Sequence, residues 1–311
     1  MFDDVRAYLE MLSLPQGDAN DLPTSKRRFQ DNAHYRIEIA LINSIHAFRS
    51  LVHRAKELDL KINRVTETRG IFRHTDEELR AYLKLGEQEG IEIVFSVGPR
   101  ATYDTGAQRA FSHGAFVGYR LRGMEQILRA VEDVRHIAEL GGRSVVVYDE
   151  GLLWVLNRMR LDKFIPENMR FKASAHMGHC NPASVRLLEA LGADSINPIR
   201  DLPLNVIAAL RKTIHIPLDV HTDNPPSSGG FIRSYEAPEI VRVAAPVYLK
   251  MGTSEVAAHG QRTEADDGYR MAEHASIVRD MMVRYYPEAC QSEPGSYLCD
   301  ETRQESSPLL I

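Results

Sequence analysis

A single (β/α)8 barrel is the fold this sequence predicts, and three observations predict it. Eight short β-rich apolar runs alternate with helical patterns along the 311-residue chain. Their starts recur about every 22–30 residues, the length of a βα unit, with one longer interval after the third. The first run leads into INSIH (42–46), where a doubly wound open sheet would normally carry a glycine-rich phosphate loop.

In order, the predicted strands are YRIEIALI (35–42), INRVTET (62–68), IEIVFSV (91–97), SVVVYDE (144–150), RFKASAHM (170–177), ADSINPI (193–199), IPLDVHT (216–222) and PVYLKMG (246–252). Helical patterns between them include 44–59, 75–90, 124–142, 181–192 and 203–214. Ser44 is placed to cap the first, and Thr75 with Glu78 has the spacing of a capping box. Gly90, Gly141 and Gly192 fall just past helix ends, where a positive φ is wanted. A barrel needs about 250 residues. The surplus lies in an N-terminal helical extension (1–32) that closes the barrel bottom, a long loop after strand three (98–123), and a weakly ordered tail (288–311). The barrel itself takes 33–287, with no linker between two domains.

Barrel strands alternate between the helix layer and the interior. Leu218 and Val220 suit the helix layer, so Asp219, His221 and Asp223 turn inward. The same alternation sends inward Arg36 and Glu38, Glu92 and Ser96, Lys172, Ser174 and His176, Ser195 and Asn197, and Tyr248 and Lys250. Strand four is apolar on both faces until it ends in Tyr148-Asp149-Glu150. Barrel interiors are usually filled by branched apolar side chains. So many ionisable groups must be paired, metal-bound or wetted by a cleft. One outcome is an internal ion-pair network of Lys172 or Lys250 with Glu38 or Asp219. Crowding at the C-terminal strand ends, where barrel enzymes keep their active sites, points instead to catalysis.

Three chemistries suit these residues. His176, His221, Asp223, Glu38 and Glu150, with His179 nearby, offer imidazole and carboxylate ligands for a divalent transition metal such as Zn, Mn or Fe. Lys250 or Lys172, if its pKa is lowered by burial, can attack a carbonyl to form a Schiff base. Ser227, Ser228, Gly229 and Gly230, with Gly252-Thr253-Ser254 after strand eight, occupy loops where barrels often bind phosphate on backbone N–H groups, and Arg233 lies just beyond. The long loop carries Arg100, Arg109, Arg120 and Arg122 with Tyr103, His113 and Tyr119, which suits a positively charged lid or an oligomer contact. Cys180 lies near the rim, as a nucleophile or a small buried side chain.

The segment LLEALGADSINPIRDLPLNVIAALRKTIHIPLDVHT (187–222) resembles the barrel of the U32 peptidase family. The likeness rests on the Gly-Ala turn into strand six, the Arg200-Asp201-Leu202 step and the Ile-Pro-Leu-Asp-Val strand at 216–220. In that family the strand leads into His-Gly and then cysteines. Here it leads into His221-Thr222-Asp223, and the three cysteines (Cys180, Cys290, Cys299) do not supply the four that iron–sulfur members need. HTDN (221–224) is also similar to the His-x-His-Asn metal motif of acyl-lyase barrels. Asp223 stands for the second histidine, and Arg36-Ile37-Glu38 for the usual Arg-Asp pair.

Hydrophobic residues make up 43% of the chain and charged residues 26%, as in an ordinary globular protein. The net charge of −5 gives no help toward nucleic acid or an anionic membrane. Scattered cysteines, an acidic amphipathic start and the lack of a bilayer-length apolar run lead to the expectation of a cytoplasmic protein. The expected function is hydrolysis or lyase cleavage of a small anionic metabolite, with no dinucleotide. The expected catalytic residues are His176, His221, Asp219 and Lys250, and the expected substrate contacts are Arg100, the 227–230 loop and Arg233. A Schiff-base lyase and a non-catalytic U32-like accessory protein are the alternatives. Homo-oligomerisation is left open.

Overall fold

The computed structural model describes residues 3–11, 21–99 and 118–300. Eight parallel strands close a barrel in chain order, and the last pairs back to the first. They are β1 (Tyr35–Ala40), β2 (Arg64–Thr66), β3 (Glu92–Ser96), β4 (Ser144–Val147), β5 (Arg170–Ala173), β6 (Ser195–Ile196), β7 (Leu218–His221) and β8 (Val247–Met251). The predicted fold is therefore the observed one. Register sets Glu38 opposite Arg64 on one side and Lys250 on the other, which stacks charge along the barrel axis.

The surrounding helices are α2 (Ile45–Glu57), α3 (Asp76–Glu89), α4 (Gly123–Glu139), α5 (Glu150–Leu161), α6 (Pro182–Ala190), α7 (Leu204–Thr213), α8 (Ala237–Ala244) and α9 (Ala265–Tyr285), after an N-terminal α1 (Asp3–Met11). Their starts follow local chemistry. Ser44, Thr75 and Asp149 each accept a backbone N–H from the first turn, and Asn181 forms a reciprocal box with Ser184. Gly90 ends α3 at φ +65°, and any Cβ there would meet the backbone at Pro294 and Gly295. Alternation works as expected on the outer faces. Ile37, Ile39, Val145, Phe171, Leu218, Val220 and Leu249 join Phe48, Leu51, Leu153 and Val278 of the helices in one apolar layer. Among the described residues no helix is long and apolar enough to cross a membrane.

The closest helix packing is between α2 and α9. A Cβ on Gly268 would lie 2.0 Å from the Ala47 carbonyl oxygen, a backbone atom that cannot swing away. Gly268→Ala is therefore expected to force the pair apart and cost about 1–3 kcal/mol. Chemical denaturation checks this, and a loss below about 0.5 kcal/mol, the range of neutral surface changes, would contradict the close approach.

Two sequence expectations need correction. Residues 288–300 are not a loose tail. His34 N–H donates to the Cys290 carbonyl (2.8 Å), Asn63 Nδ2 to the Ser292 carbonyl (2.9 Å), and Arg36 Nε to Ser292 Oγ (2.9 Å), while Arg36 also pairs with Asp300. The cause is Arg36 itself: a guanidinium buried at the barrel bottom needs acceptors, and this segment brings them. Phe29 completes the plug, edge-on to Tyr248 at 5.3 Å and under Arg36 at 4.1 Å. Residues 301–311 lie outside the described residues. Secondly, β5 stops at Ala173 and β4 at Val147. His176 sits in a 3-10 turn (Ala175–Met177) capped by the Ser174 hydroxyl, and Glu150 opens α5. Both reach the rim from turns, where strand alternation no longer governs direction.

Candidate active site

The barrel interior is a column of charge. Lys172 Nζ donates to Glu38 Oε1 (2.5 Å) and lies 3.1 Å from Asp219 Oδ2. Arg64 donates through Nε to Glu92 (2.7 Å), and its Nη1 reaches Asp219 (3.3 Å) and Glu38 (3.6 Å). Its guanidinium carbon stacks 3.5 Å from the centre of the Tyr248 ring. Ser144 and Ser195 fill remaining acceptor positions on Glu92 and Asp219. Burial alone would raise the carboxyl pKa values. Lys172, Lys250 and Arg64 outweigh it and hold Glu38 well below the usual range, and Arg64 and Arg170 bring Glu92 down to about 2. The ion-pair network that the sequence admitted for Glu38, Lys172 and Asp219 is thus present. Asp219 is one of its inner members, beneath the site proper.

Lys250 is the top of this column. Its Nζ lies 3.3 Å from Glu38 Oε1 and donates to Asn197 Oδ1 (3.2 Å). Burial, then the adjacent Lys172 cation, lowers its pKa to about 7, although Glu38 and Asp219 pull the other way. Above it lies a small cavity of about 20 Å3, bounded by Lys250, Asn197, His221, His176, Arg200 and Tyr148 among others. This is room for water, and a larger ligand enters only if the roof shifts. That roof includes Tyr119, stacked on His176 at 3.9 Å between ring centres, and His259, whose Nδ1 lies 2.8 Å from the Tyr119 hydroxyl.

His221 has an unusual setting. Its Nδ1 faces the Asp223 carbonyl (3.1 Å) and its Nε2 faces Asn197 Oδ1 (3.2 Å). The Asn197 orientation follows from its Nδ2, which donates to the Asp219 carbonyl (2.7 Å). Burial, reinforced by Lys250, Arg200 and Lys172, keeps the His221 pKa well below its ordinary value. A neutral imidazole has one N–H for two oxygen acceptors, so one contact lacks its proton.

The expected site residues divide accordingly. His176, His221 and Lys250 share the cavity wall. Asp223 instead binds the loop after β8: its carboxylate accepts from Thr253 Oγ1 (3.0 Å), Ser254 N (2.9 Å) and Ser254 Oγ (2.7 Å). Glu150 pairs with Arg120 and His179. With Glu38 taken up by lysines, the five suggested ligands do not form a donor set that fits a transition metal. Among the described residues no three His, Cys, Asp or Glu side chains are grouped to hold one. The backbone N–H groups of Ser227, Ser228, Gly229 and Gly230 all donate to carbonyls of Ala257, Pro225 or Pro226, so this loop presents no anion cradle as it stands. Arg233 braces three carbonyls, those of His221 (2.9 Å), Leu202 (2.7 Å) and Arg200 (2.9 Å), and its role is to join the loops after β6 and β7. Arg100, Arg109, Tyr103 and His113, central to the lid expectation, lie outside the described residues. Cys180 is half-buried with a free thiol.

Sequence reasoning missed Arg64, Arg200 and His259. Arg64 carried a usable signal, because an outward Val65 implies inward Arg64 and Thr66. Arg200 and His259 come from irregular segments, where no periodicity exists to read.

No described protein family matches the sequence, and no curated protein does. Solved structures similar to it include a U32 peptidase (17% identity, TM-score 0.39, 67% of this chain and 74% of that one). Others are a truncated 3-deoxy-D-arabino-heptulosonate 7-phosphate synthase from Thermotoga maritima (13%, 0.49, 89% and 94%) and a 4-hydroxy-tetrahydrodipicolinate synthase from Methylacidiphilum fumariolicum SolV (10%, 0.43, 81% and 82%). At these values no chemistry transfers from them, and the barrel rests on its own strand pairing.

Proposed function

We propose that the chain is a barrel enzyme of the lyase class in which Lys250 forms a Schiff base with a small anionic carbonyl compound. The observation that supports this most is Lys250 itself: an amine brought to a pKa of about 7 at the top of the charge column, bordering a cavity at the C-terminal strand ends. A lysine so placed is neutral about half the time near neutral pH, and a neutral amine is the nucleophile. Lys172 is the weaker choice. It is clamped between Glu38 and Asp219 and does not border the cavity.

In this reading the Nζ lone pair forms a bond to the carbonyl carbon. The carbonyl oxygen takes up two protons and leaves as water, giving an imine that is protonated to the iminium. The adjacent C–C bond then breaks: its electron pair enters the iminium to give an enamine, while a base takes the proton of the hydroxyl on the departing carbon, which leaves as an aldehyde. His221 is the base beside it. A proton gained by His221 satisfies both of its oxygen neighbours.

Reductive trapping tests the reading. Pyruvate with cyanoborohydride is expected to leave a carboxyethyl adduct that peptide mass mapping places on Lys250, with a rate that rises with pH through about 7 and then levels as the amine becomes fully neutral. The reading fails if the label falls only on surface lysines. A second reading, imidazole-assisted hydrolysis, is favoured by the water-sized cavity beside His176 and His221. It predicts turnover of a substrate with no trapped adduct.

A further inference from the structure

Among the described residues the buried arginines are served by acceptors, and half-buried Arg200 is served less well. Arg36 has Asp300, Arg64 has Glu92 and Asp219, Arg160 has Asp194, Arg211 has the Ile214 and Ile216 carbonyls, and Arg233 has three carbonyls. Arg200 has an imidazole. Its Nη2 lies 2.8 Å from His176 Nε2, its Nε is buried with no hydrogen-bond partner, and no ion pair joins it to a described residue. A guanidinium can only donate, so His176 Nε2 accepts, and that ring is neutral and offsets none of the charge. A half-buried cation whose Nε is shielded from water and lacks an acceptor is held at a cost. Burial lowers the pKa of Arg200, and Arg200 in turn depresses both Lys250 and His221.

Arg200 also borders the same cavity as Lys250. Both side chains therefore face whatever small ligand the cavity admits once its roof shifts.

We infer that Arg200 is the carboxylate-binding residue of this site and that the ligand is a small oxo acid, its carboxylate on the guanidinium and its carbonyl carbon facing Lys250. Planar two-point pairing suits arginine and carboxylate. The ligand would complete the ion pair that the described residues leave open. This inference rests on the Schiff-base reading only for the position of the carbonyl. The carboxylate site stands on Arg200 alone.

The experiment compares reductive trapping of pyruvate with that of acetone, its uncharged counterpart. Wild-type protein is expected to favour pyruvate. In Arg200→Gln the ratio of pyruvate to acetone trapping is expected to fall by roughly 30-fold or more, the effect of truncating one partner of a buried charge pair. Arg200→Lys, which keeps the charge and loses the fork, is expected to fall between the two and serves if Arg200→Gln does not fold. Pyruvate neutralises Arg200 and so returns proton affinity to Lys250, and its trapping is expected to inflect at a higher pH than that of acetone. An unchanged ratio in both variants overturns the inference and leaves the Schiff-base reading intact. If neither probe labels Lys250, that reading fails, and calorimetric titration of pyruvate into Lys250→Met and Lys250→Met/Arg200→Gln decides the carboxylate site. Binding to the first and not the second supports it, and equal binding or none overturns it.

Discussion

Arg64→Met is expected to destabilise the barrel by about 3–5 kcal/mol, the usual result of removing one partner from a buried ionic cluster. Arg64 touches Glu92, Asp219 and Glu38, all of them buried, and each would lose its cation or part of it. Methionine keeps the stem against Tyr248 but not the cation–π contact. Denaturant unfolding near pH 7 measures the change, and a loss under about 1 kcal/mol would mean the cluster contributes no more than a surface pair. Pairing Arg64→Met with Glu92→Gln should recover part of the loss, because fewer charges are then stranded. Acid gives an independent check. Glu38 and Glu92 have folded-state pKa values below the unfolded value of about 4.3, so their contribution is complete above that pH. It is lost as the pH falls toward about 2. The variant should show a shallower acid limb over the same window.

Lys250→Met is expected to abolish the trapped adduct and to lower turnover by a factor on the order of 10^4 or more, as removal of a covalent nucleophile does. The same substitution is expected to stabilise the fold. The folded-state pKa of Lys250 is about 7, against about 10.4 when unfolded. Between these values the unfolded chain binds the extra proton, so wild-type stability rises with pH across that window. Below pH 7 both states are protonated and the penalty for burying the charge is fully present, on the order of 2–4 kcal/mol. Lys250→Met removes this penalty, so the variant should be more stable than wild type at pH 6, with the difference closing toward pH 10. A variant less stable than wild type at pH 6 would show that the Glu38 contact outweighs burial. The opposite signs for activity and stability are what a group kept for chemistry produces.

The barrel and its polar interior were legible because both depend on period two. An outward Ile37, Phe171, Leu218 or Leu249 is a local fact, and it fixes where Glu38, Lys172, Asp219 and Lys250 point. The pairing of Glu38 with Lys172 could be anticipated from opposite charges on inward faces. What failed lay past the strand ends. His176 was placed by a 3-10 turn, Asp223 was drawn off by Thr253 and Ser254, and the N–H groups of 227–230 closed on their own loop. The first and third are local turn bonds in irregular segments and the second joins loops thirty residues apart, and no strand periodicity encodes either kind. Arg200 was quoted in the sequence only as part of an Arg-Asp-Leu step. Its importance comes from the lack of a carboxylate partner among the described residues, which is visible only once those neighbours have positions.

The column of ions along the axis also bears on how the protein responds to heat. Exposing polar groups lowers the heat-capacity increment of unfolding, whereas exposing apolar groups raises it. A barrel whose centre holds Glu38, Arg64, Glu92, Lys172 and Asp219 in place of branched aliphatics therefore has a flatter curve of stability against temperature. Because the hydration of ions becomes less favourable on warming, the cost of keeping these charges from water also shrinks as temperature climbs. The mouth of the barrel thus sits on a base whose electrostatic part weakens least when the apolar shell around it begins to give way.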